Sequence, residues 1–308
     1  MMYDLAILGG GPAGVAAGVY ASRKRLKTVF ITTNFEGQSA VSEGVENWIG
    51  TIKIPGLELS KNLEAHLRAY AGDVVDIQTG ETVQGIEKLG DFHFKVKTDK
   101  SEYEAKSVLI TTGSVRRKLE VPGAAEFENR GLTYCASCDG PLFAGMDCVV
   151  VGGGNAAFES AAQLLAYAKS VTLIHRSETF RADPVTVARV SAHPNMKVVT
   201  NVMPTAVKGD KFVTAISYKN NATGEETDLP CSGIFIEIGL IPNTWFLKDV
   251  VKLNGNGQIV TDPRTQATSV KGIWAAGDAT DGLYHQNNIA AGDAVRALED
   301  IYLELMAK

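Results

Sequence analysis

Two cysteines with two residues between them, in Cys135-Ala136-Ser137-Cys138-Asp139-Gly140, offer the most reactive chemistry in the chain. Thiols at that spacing close a small disulfide ring, and the motif lowers a thiol pKa so that one sulfur attacks as thiolate. Asp139 follows directly: it is a proton donor if burial raises its pKa, and otherwise a turn residue ahead of Gly140-Pro141. The remaining cysteines, Cys148 and Cys231, lie far apart in or beside apolar runs and read as core residues. A zinc site would need two more ligands at comparable spacing, so no metal is expected.

A second kind of chemistry is written in glycine. Gly9-Gly10-Gly11-Pro12-Ala13-Gly14 and Gly152-Gly153-Gly154-Asn155-Ala156-Ala157 each sit where a dinucleotide's pyrophosphate meets a helix start. Gly9 permits a tight turn, Gly11 a close approach of backbone to phosphate, and Gly14 close packing of helix on strand, while Pro12 suits a first helical turn. The positions after the following strand differ between the two copies. In the second copy that strand ends at His175-Arg176, and Arg176 with Arg181 offers guanidinium forks for a ribose 2′-phosphate. Read otherwise, both are exposed loop arginines, and nearby Glu178 keeps an NAD site open.

The elements that must hold these residues are legible in the same stretches. Residues 3–8 read as a short buried strand running into the first glycine loop, then an alanine-rich helix to about Arg23, then the apolar run 28–31. The order recurs as strand 148–151, the second glycine loop, a helix through about Ala168 and strand 171–174. The chain therefore contains an internal duplication. Phe92, Phe94, Val96 and Thr98 alternate with polar residues before the Asp99-Lys100 turn, and a return strand leads to Thr111-Thr112-Gly113. Residues 212–218, the turn at Asn220-Asn221 and the run 234–239 repeat that pattern. Each half is thus a dinucleotide fold carrying an inserted hairpin or meander.

Beyond Pro242 there remain a strand ending in Trp274-Ala275-Ala276-Gly277-Asp278 and a last helix with Val295, Leu298, Tyr302 and Leu305 on one face. That tail is too short for a domain and is expected to complete the first half. The expected class is α/β, with two Rossmann-like domains, the second inserted into the first. Residues 1–114 and 242–308 would form one domain and residues 115–241 the other.

Composition agrees with a folded chain. Of 308 residues, 45% are hydrophobic and 21% charged, which excludes disorder and collagen. A net charge of -5 with no block of like charge gives no footprint for nucleic acid or an anionic membrane. No apolar run approaches the roughly 18 residues of a spanning helix, and Met-Met-Tyr-Asp lacks the basic start of a signal peptide, so a cytoplasmic protein is expected.

With these motifs in view, the chain resembles the low-molecular-weight thioredoxin reductases and the related flavoprotein subunit of alkyl hydroperoxide reductase. The resemblance runs along the whole chain: Gly9 to Gly14, Glu36-Gly37-Gln38, Val45-Glu46-Asn47-Trp48, Thr111-Thr112-Gly113, Cys135 to Gly140, Gly152 to Ala157, His175-Arg176 with Arg181, and Gly277-Asp278. It implies FAD in the first half, held by the first glycine loop including Ala13, by Thr32, Thr33, Glu36, Gly37, Gln38, Asn47, Thr112, Gly113 and Gly277, and by Asp278 on the ribitol. The stretch Tyr284-His285-Gln286-Asn287 would pass near the flavin ring. It implies NADPH in the second half, at Gly152, Gly154, Asn155, Ala156, His175, Arg176 and Arg181. A homodimer is implied as well, with domains that swivel about two crossings near 113–115 and 241–243.

Two departures shape the expectation. Arg176 is followed by Ser177 where the family places adjacent arginines, which leaves NADH open beside NADPH. Residues 138–143 and 233–244 look closer to the peroxide-reductase branch, whose extra N-terminal redox domain is absent from the eight residues before Gly9; such a partner is expected to be a separate protein. The expected activity is passage of electrons from NADPH through FAD and the Cys135–Cys138 disulfide to a thioredoxin-like, glutaredoxin-like or peroxiredoxin-linked protein. Cys138 would face the flavin, Asp139 would protonate the leaving thiol, and Cys135 would attack the partner. Rival readings are a small-molecule dithiol oxidase on the same scaffold and a flavin redox sensor without turnover.

Overall fold

The run Tyr3-Asp4-Leu5-Ala6-Ile7-Leu8 is almost continuously apolar, so it is stable as a strand only where both faces are covered, as in a parallel sheet flanked by helices. That is its place in the computed structural model, which describes residues 1–42, 44–247 and 249–306. Strand β1 (Met2–Leu8) passes through the glycine turn into helix α1 (Pro12–Arg23) and strand β2 (Thr28–Thr32). Helix α2 (Gly56–Ala71), β3 (Val75–Thr79), the hairpin β4 (Val83–Gly90) and β5 (His93–Thr98), and β6 (Glu102–Ile110) follow. Strand β6 runs parallel to β1 along one edge, and its first residues take β5 antiparallel on the other.

A short strand, β7 (Ser114–Arg116), carries the chain out of this sheet. The next elements are β8 (Leu132–Thr133), the single turn α3 (Ala136–Asp139), β9 (Asp147–Gly152), α4 (Asn155–Leu164), β10 (Ser170–Ile174), α5 (Pro184–Ser191) and β11 (Met196–Val199). Three antiparallel strands, β12 (Val202–Gly209), β13 (Val213–Asn220) and β14 (Glu226–Pro230), form their own sheet. Strand β15 (Gly233–Glu237) then completes a parallel sheet in the order β11-β10-β9-β15-β8. The chain returns through β16 (Leu240–Pro242), which pairs with β7. Strand β17 (Ile273–Ala275) joins the free part of β6, and helix α6 (Asn287–Met306) ends the fold.

The expected class holds: two Rossmann-like sheets, the second inserted into the first. One compact unit comprises Met1–Val41, Trp48–Val115 and Ile241–Lys308, and the other comprises Ser42–Asn47 and Arg116–Leu240. Among the described residues, no helix is long and apolar enough to cross a membrane.

Two expectations differ in detail. Helix α4 stops at Leu164 rather than near Ala168, because the chain must turn to lay β10 beside β9: the Tyr167 carbonyl accepts from the Gly145 amide and the Lys169 amide donates to Met146. On α6 the buried stripe is Ala290, Ala294, Ala297, Leu298 and Ile301, with Val295, Tyr302 and Leu305 only half-buried. Alanines Ala13, Ala17 and Ala21 of α1 share that core. Small side chains let the helices pack closely, so bulk is a poor guide to the buried face here.

Candidate functional site

In the first unit the end of β1 is shaped by what cannot fit. Gly9 adopts φ +118, and a Cβ there would land on the Thr111 carbonyl oxygen. A Cβ on Gly14 would land on the Gly9 carbonyl oxygen, so the first turn of α1 lies directly on the strand. Thr111 ties β6 to this turn, its amide and hydroxyl each reaching the Leu8 carbonyl at 2.8 Å. Above Gly11, by contrast, nothing lies within 4 Å of a built Cβ, so the loop presents bare backbone to open space.

That space is a cleft of about 590 Å³. Gly9, Gly11, Pro12, Ala13, Thr32, Thr33, Glu36, Gly37, Gln38, Thr112, Gly113, Gly277, Asp278 and Asn287 all line it. Gln38 Nε2 donates to Asp278 Oδ2 and lies equally close to Ser114 Oγ, at 3.1 Å each, and His285 Nδ1 stands 3.5 Å from Asp278 Oδ1. Asn287 Nδ2 donates to Ser39 Oγ at 2.8 Å. His285 and Gln286 are both absent from the lining, although His285 and Asn287 reach Asp278 and Ser39. Asn47 belongs to the 42–47 segment of the second unit and does not line the cleft.

These residues suit FAD. Backbone amides at a helix start would hold a pyrophosphate, the Asp278 carboxylate would accept from polyol hydroxyls, and the glycine cradle would be filled by a single Cβ. Asn243 and Glu81 also line the cleft and escaped the sequence reading. Asn243 Nδ2 donates to the Thr112 carbonyl at 2.9 Å, and Thr112 Oγ1 donates back to the Asn243 carbonyl at 2.8 Å. Glu81 is buried and accepts from Thr98 and Tyr103. The Pro242-Asn243-Thr244 turn was a usable signal for Asn243; Glu81 is preceded only by an ordinary Thr-Gly turn.

The second unit repeats the cradle at the end of β9. Gly152 adopts φ +155 and a Cβ there would land on the Glu237 carbonyl oxygen, while a Cβ on Gly153 would enter the His175 ring. Gly154 faces open space and caps α4, which begins at Asn155 and the exposed Ala156. The segment after β10 folds back onto this loop. The Arg181 amide donates to the Gly153 carbonyl at 3.0 Å, and the Asp183 amide donates to Asn155 Oδ1 at 2.8 Å. Phe180 packs between His175 and Phe158, with ring centroids 5.2 and 4.9 Å away. Burial lowers the His175 pKa, and the positive charges of the exposed Arg176 and Arg181 push the same way.

The disulfide lies in the same unit. Cys135 and Cys138 are joined, with Cα atoms 5.3 Å apart on the turn that follows β8, and both are partly exposed. The Cys138 amide donates to Cys135 Sγ at 3.2 Å. Such a bond favours the thiolate when the pair is reduced. Asp139 Oδ2 accepts from the buried Thr133 hydroxyl, and Ser42 Oγ lies 3.4 Å from Asp139 Oδ1. Ser137 Oγ donates to Gln163 Oε1 of α4 at 3.0 Å, fastening the turn to the helix. Thr133 and Gln163 were not singled out from sequence, since neither belongs to a motif. Cys148 and Cys231 are buried, and burial pushes both thiols up to about 12, far from reactivity at neutral pH.

A family model described as pyridine nucleotide-disulphide oxidoreductase matches residues 3–294. An alkyl hydroperoxide reductase component of Staphylococcus aureus (strain MRSA252) is 40% identical over 295 residues, 96% of this chain and 57% of the relative. A protein of Bacillus subtilis (strain 168) named NADH dehydrogenase is 37% identical over 295 residues, with the same coverage. The chain thus spans little more than half the length of these curated relatives. Among solved structures, a thioredoxin reductase from Streptococcus pyogenes MGAS5005 is 35% identical, with a TM-score of 0.88 over 100% of this chain and 99% of that one. A thioredoxin reductase from Giardia duodenalis is 32% identical, with a TM-score of 0.91 and the same coverage.

Proposed function

Because the chain belongs to the pyridine nucleotide-disulphide oxidoreductase family, we propose that it is a flavin-dependent disulfide reductase. It moves two electrons from NADPH, or from NADH, to the Cys135–Cys138 disulfide, and from there to a thioredoxin-like, glutaredoxin-like or peroxiredoxin-linked disulfide protein. The observation that carries this reading is the partly exposed Cys135–Cys138 disulfide, set beside Asp139 in a unit that also bears a complete nucleotide cradle.

FAD, when bound along the first glycine loop, supplies the two-electron chemistry that connects nucleotide and disulfide. The chain's own residues do the rest. Reduction of the Cys135–Cys138 bond takes two electrons and two protons, and the Asp139 carboxyl delivers a proton to the departing thiol. Cys135, whose sulfur receives the Cys138 amide, then attacks the partner's disulfide, and Cys138 attacks the resulting mixed disulfide. The pair returns to the oxidised form and the partner leaves with two thiols, so electrons and protons balance. Arg176 and Arg181 hold a 2′-phosphate when the nucleotide carries one. A cytoplasmic homodimer is part of the same reading.

Steady-state assays with NADPH and NADH, against thioredoxin-like proteins and peroxiredoxins from the same cell, test it. Nucleotide oxidation that depends on one of these disulfide proteins is expected. Thiol oxidation by oxygen, running without pyridine nucleotide, would replace this reading with a dithiol oxidase.

A further inference from the structure

The parallel sheet of the second unit reverses direction of growth at β9. From β9 the chain crosses through α4 to β10 on one side, and β15 arrives from the meander to lie on the other. A crevice outside the carboxyl ends of β9 and β15 is therefore the switch point at which such sheets bind ligands. His175, Arg176 and Arg181 occupy the β10 side, where the adenosine ribose belongs. A dinucleotide laid over the Gly152–Gly154 loop carries its other half toward β15.

The residue at the end of β15 is Glu237, in register with Gly152. Its carboxyl is deeply buried for a charged group, and its two oxygens have different company. Ser160 Oγ of α4 donates to Oε1 at 2.7 Å, while Oε2 lies 4.0 Å from Arg116 Nη1, beyond hydrogen-bond reach. The carboxyl is thus oriented by one oxygen, and among the described residues no donor comes within hydrogen-bond distance of the other, at the end of β15 beside the glycine loop. No step of the disulfide chemistry uses it.

Resting on the reading that this unit takes a pyridine nucleotide, we propose that Glu237, oriented by Ser160, recognises the nicotinamide riboside half of that nucleotide through Oε2. The free oxygen accepts a hydrogen bond from a ribose hydroxyl or from the carboxamide. When ionised it also lies near the positive pyridinium of the oxidised nucleotide. Burial pushes the carboxyl up to about 7, opposed by the Arg116 charge and the Ser160 hydrogen bond and slightly helped by Glu159, the charged groups on the elements packed around it. Its charge therefore changes across the neutral range, and oxidised nucleotide is held more tightly as pH rises through it.

Calorimetric binding to the flavin-loaded full chain tests this without turnover, using NAD+ and NADP+ against ADP and 2′,5′-ADP, which lack the nicotinamide riboside. Glu237→Ala is expected to weaken NAD+ and NADP+ about tenfold and leave the two fragments unchanged. Where that variant does not fold, Glu237→Gln carries the test: the wild type binds NAD+ several-fold more tightly at pH 8 than at pH 6, the variant does not, and ADP shows no such difference between the two proteins. Equal weakening of dinucleotide and fragments would mean that Glu237 merely supports the glycine loop, and no weakening at all would place it outside the ligand; either overturns the proposal. If the wild type binds none of the four nucleotides, it is the nucleotide reading itself that fails.

Discussion

In the first unit the helix after the glycine loop begins with Gly14 pressed against the Gly9 carbonyl, whereas in the second the matching residue is Ala157, fully buried and accommodated. The middle glycines differ as well. Gly10 faces Thr32 at the end of β2, and Gly153 faces His175 at the corresponding place after β10. Beyond those positions the first unit offers Glu36 to its cleft, and the second offers Arg176 and Arg181, whose positive charges help to lower the His175 pKa. One turn geometry is therefore kept by backbone crowding, while the charges presented to the two loops differ in the few residues that follow the second strand. The disulfide adds a further asymmetry, since it lies on the second unit alone.

That last asymmetry allows the largest effect. Cys135→Ser and Cys138→Ser should each bring turnover with a disulfide protein below detection, while reduction of bound flavin by NADPH, followed by its loss of yellow absorbance, continues at the wild-type rate. The two should differ in trapping. With Cys138 removed, Cys135 should hold the partner in a stable mixed disulfide; trapping only through Cys138 reverses the roles.

The two cradles can be set against each other directly. Gly14→Ala forces a Cβ onto the Gly9 carbonyl, and overpacking against backbone costs on the order of 3 kcal/mol, with loss of flavin retention. Ala157→Gly removes a tolerated methyl and should cost about 1 kcal/mol as a helix substitution. Urea denaturation of the pair measures the gap, and equal destabilisation would show that the two helix starts pack alike after all.

How much of this was legible beforehand follows the same physics. The strand, loop, helix, strand order announces itself because glycine at a crowded turn and apolar runs in a buried parallel strand leave strong local signals. Thr133, Gln163 and Glu81 left none, since each acts through a contact between residues distant in sequence or through a side chain with no motif around it. The α6 stripe misled because alanines, not large side chains, make the close packing against α1. Asn47 belongs to a recognisable motif, yet its short segment groups with the second unit, a placement that only the fold reveals.

A smaller effect sharpens the comparison on the flavin side. Asp278 is met by Gln38 and His285 at the wall of the cleft. Replacing it with Ala removes a charged acceptor worth roughly 1.5 to 3 kcal/mol when buried with its partner. Dialysis against flavin-free buffer should strip FAD from Asp278→Ala at least tenfold faster than from the wild type, while affinity for NADP+ in the second unit stays unchanged.

The smallest expected effect bears on the charge contrast itself. Each guanidinium that meets a 2′-phosphate contributes a charge-assisted bond of about 1.5 to 3 kcal/mol in favourable geometry, and exposure of Arg176 places it at the weak end. Arg176→Ala should therefore raise KM for NADPH about tenfold, the equivalent of roughly 1.4 kcal/mol, and leave KM for NADH nearly unchanged, because NADH has no group for the lost fork. Ser177→Arg should act in the opposite sense by adding a guanidinium next to Arg176. The comparison of kcat/KM for the two nucleotides in wild type and both variants decides the matter. If the ratio moves in neither variant, the arginines are solvated loop residues, the two units do not differ in ligand charge, and Glu178 becomes the residue to test for holding a ribose.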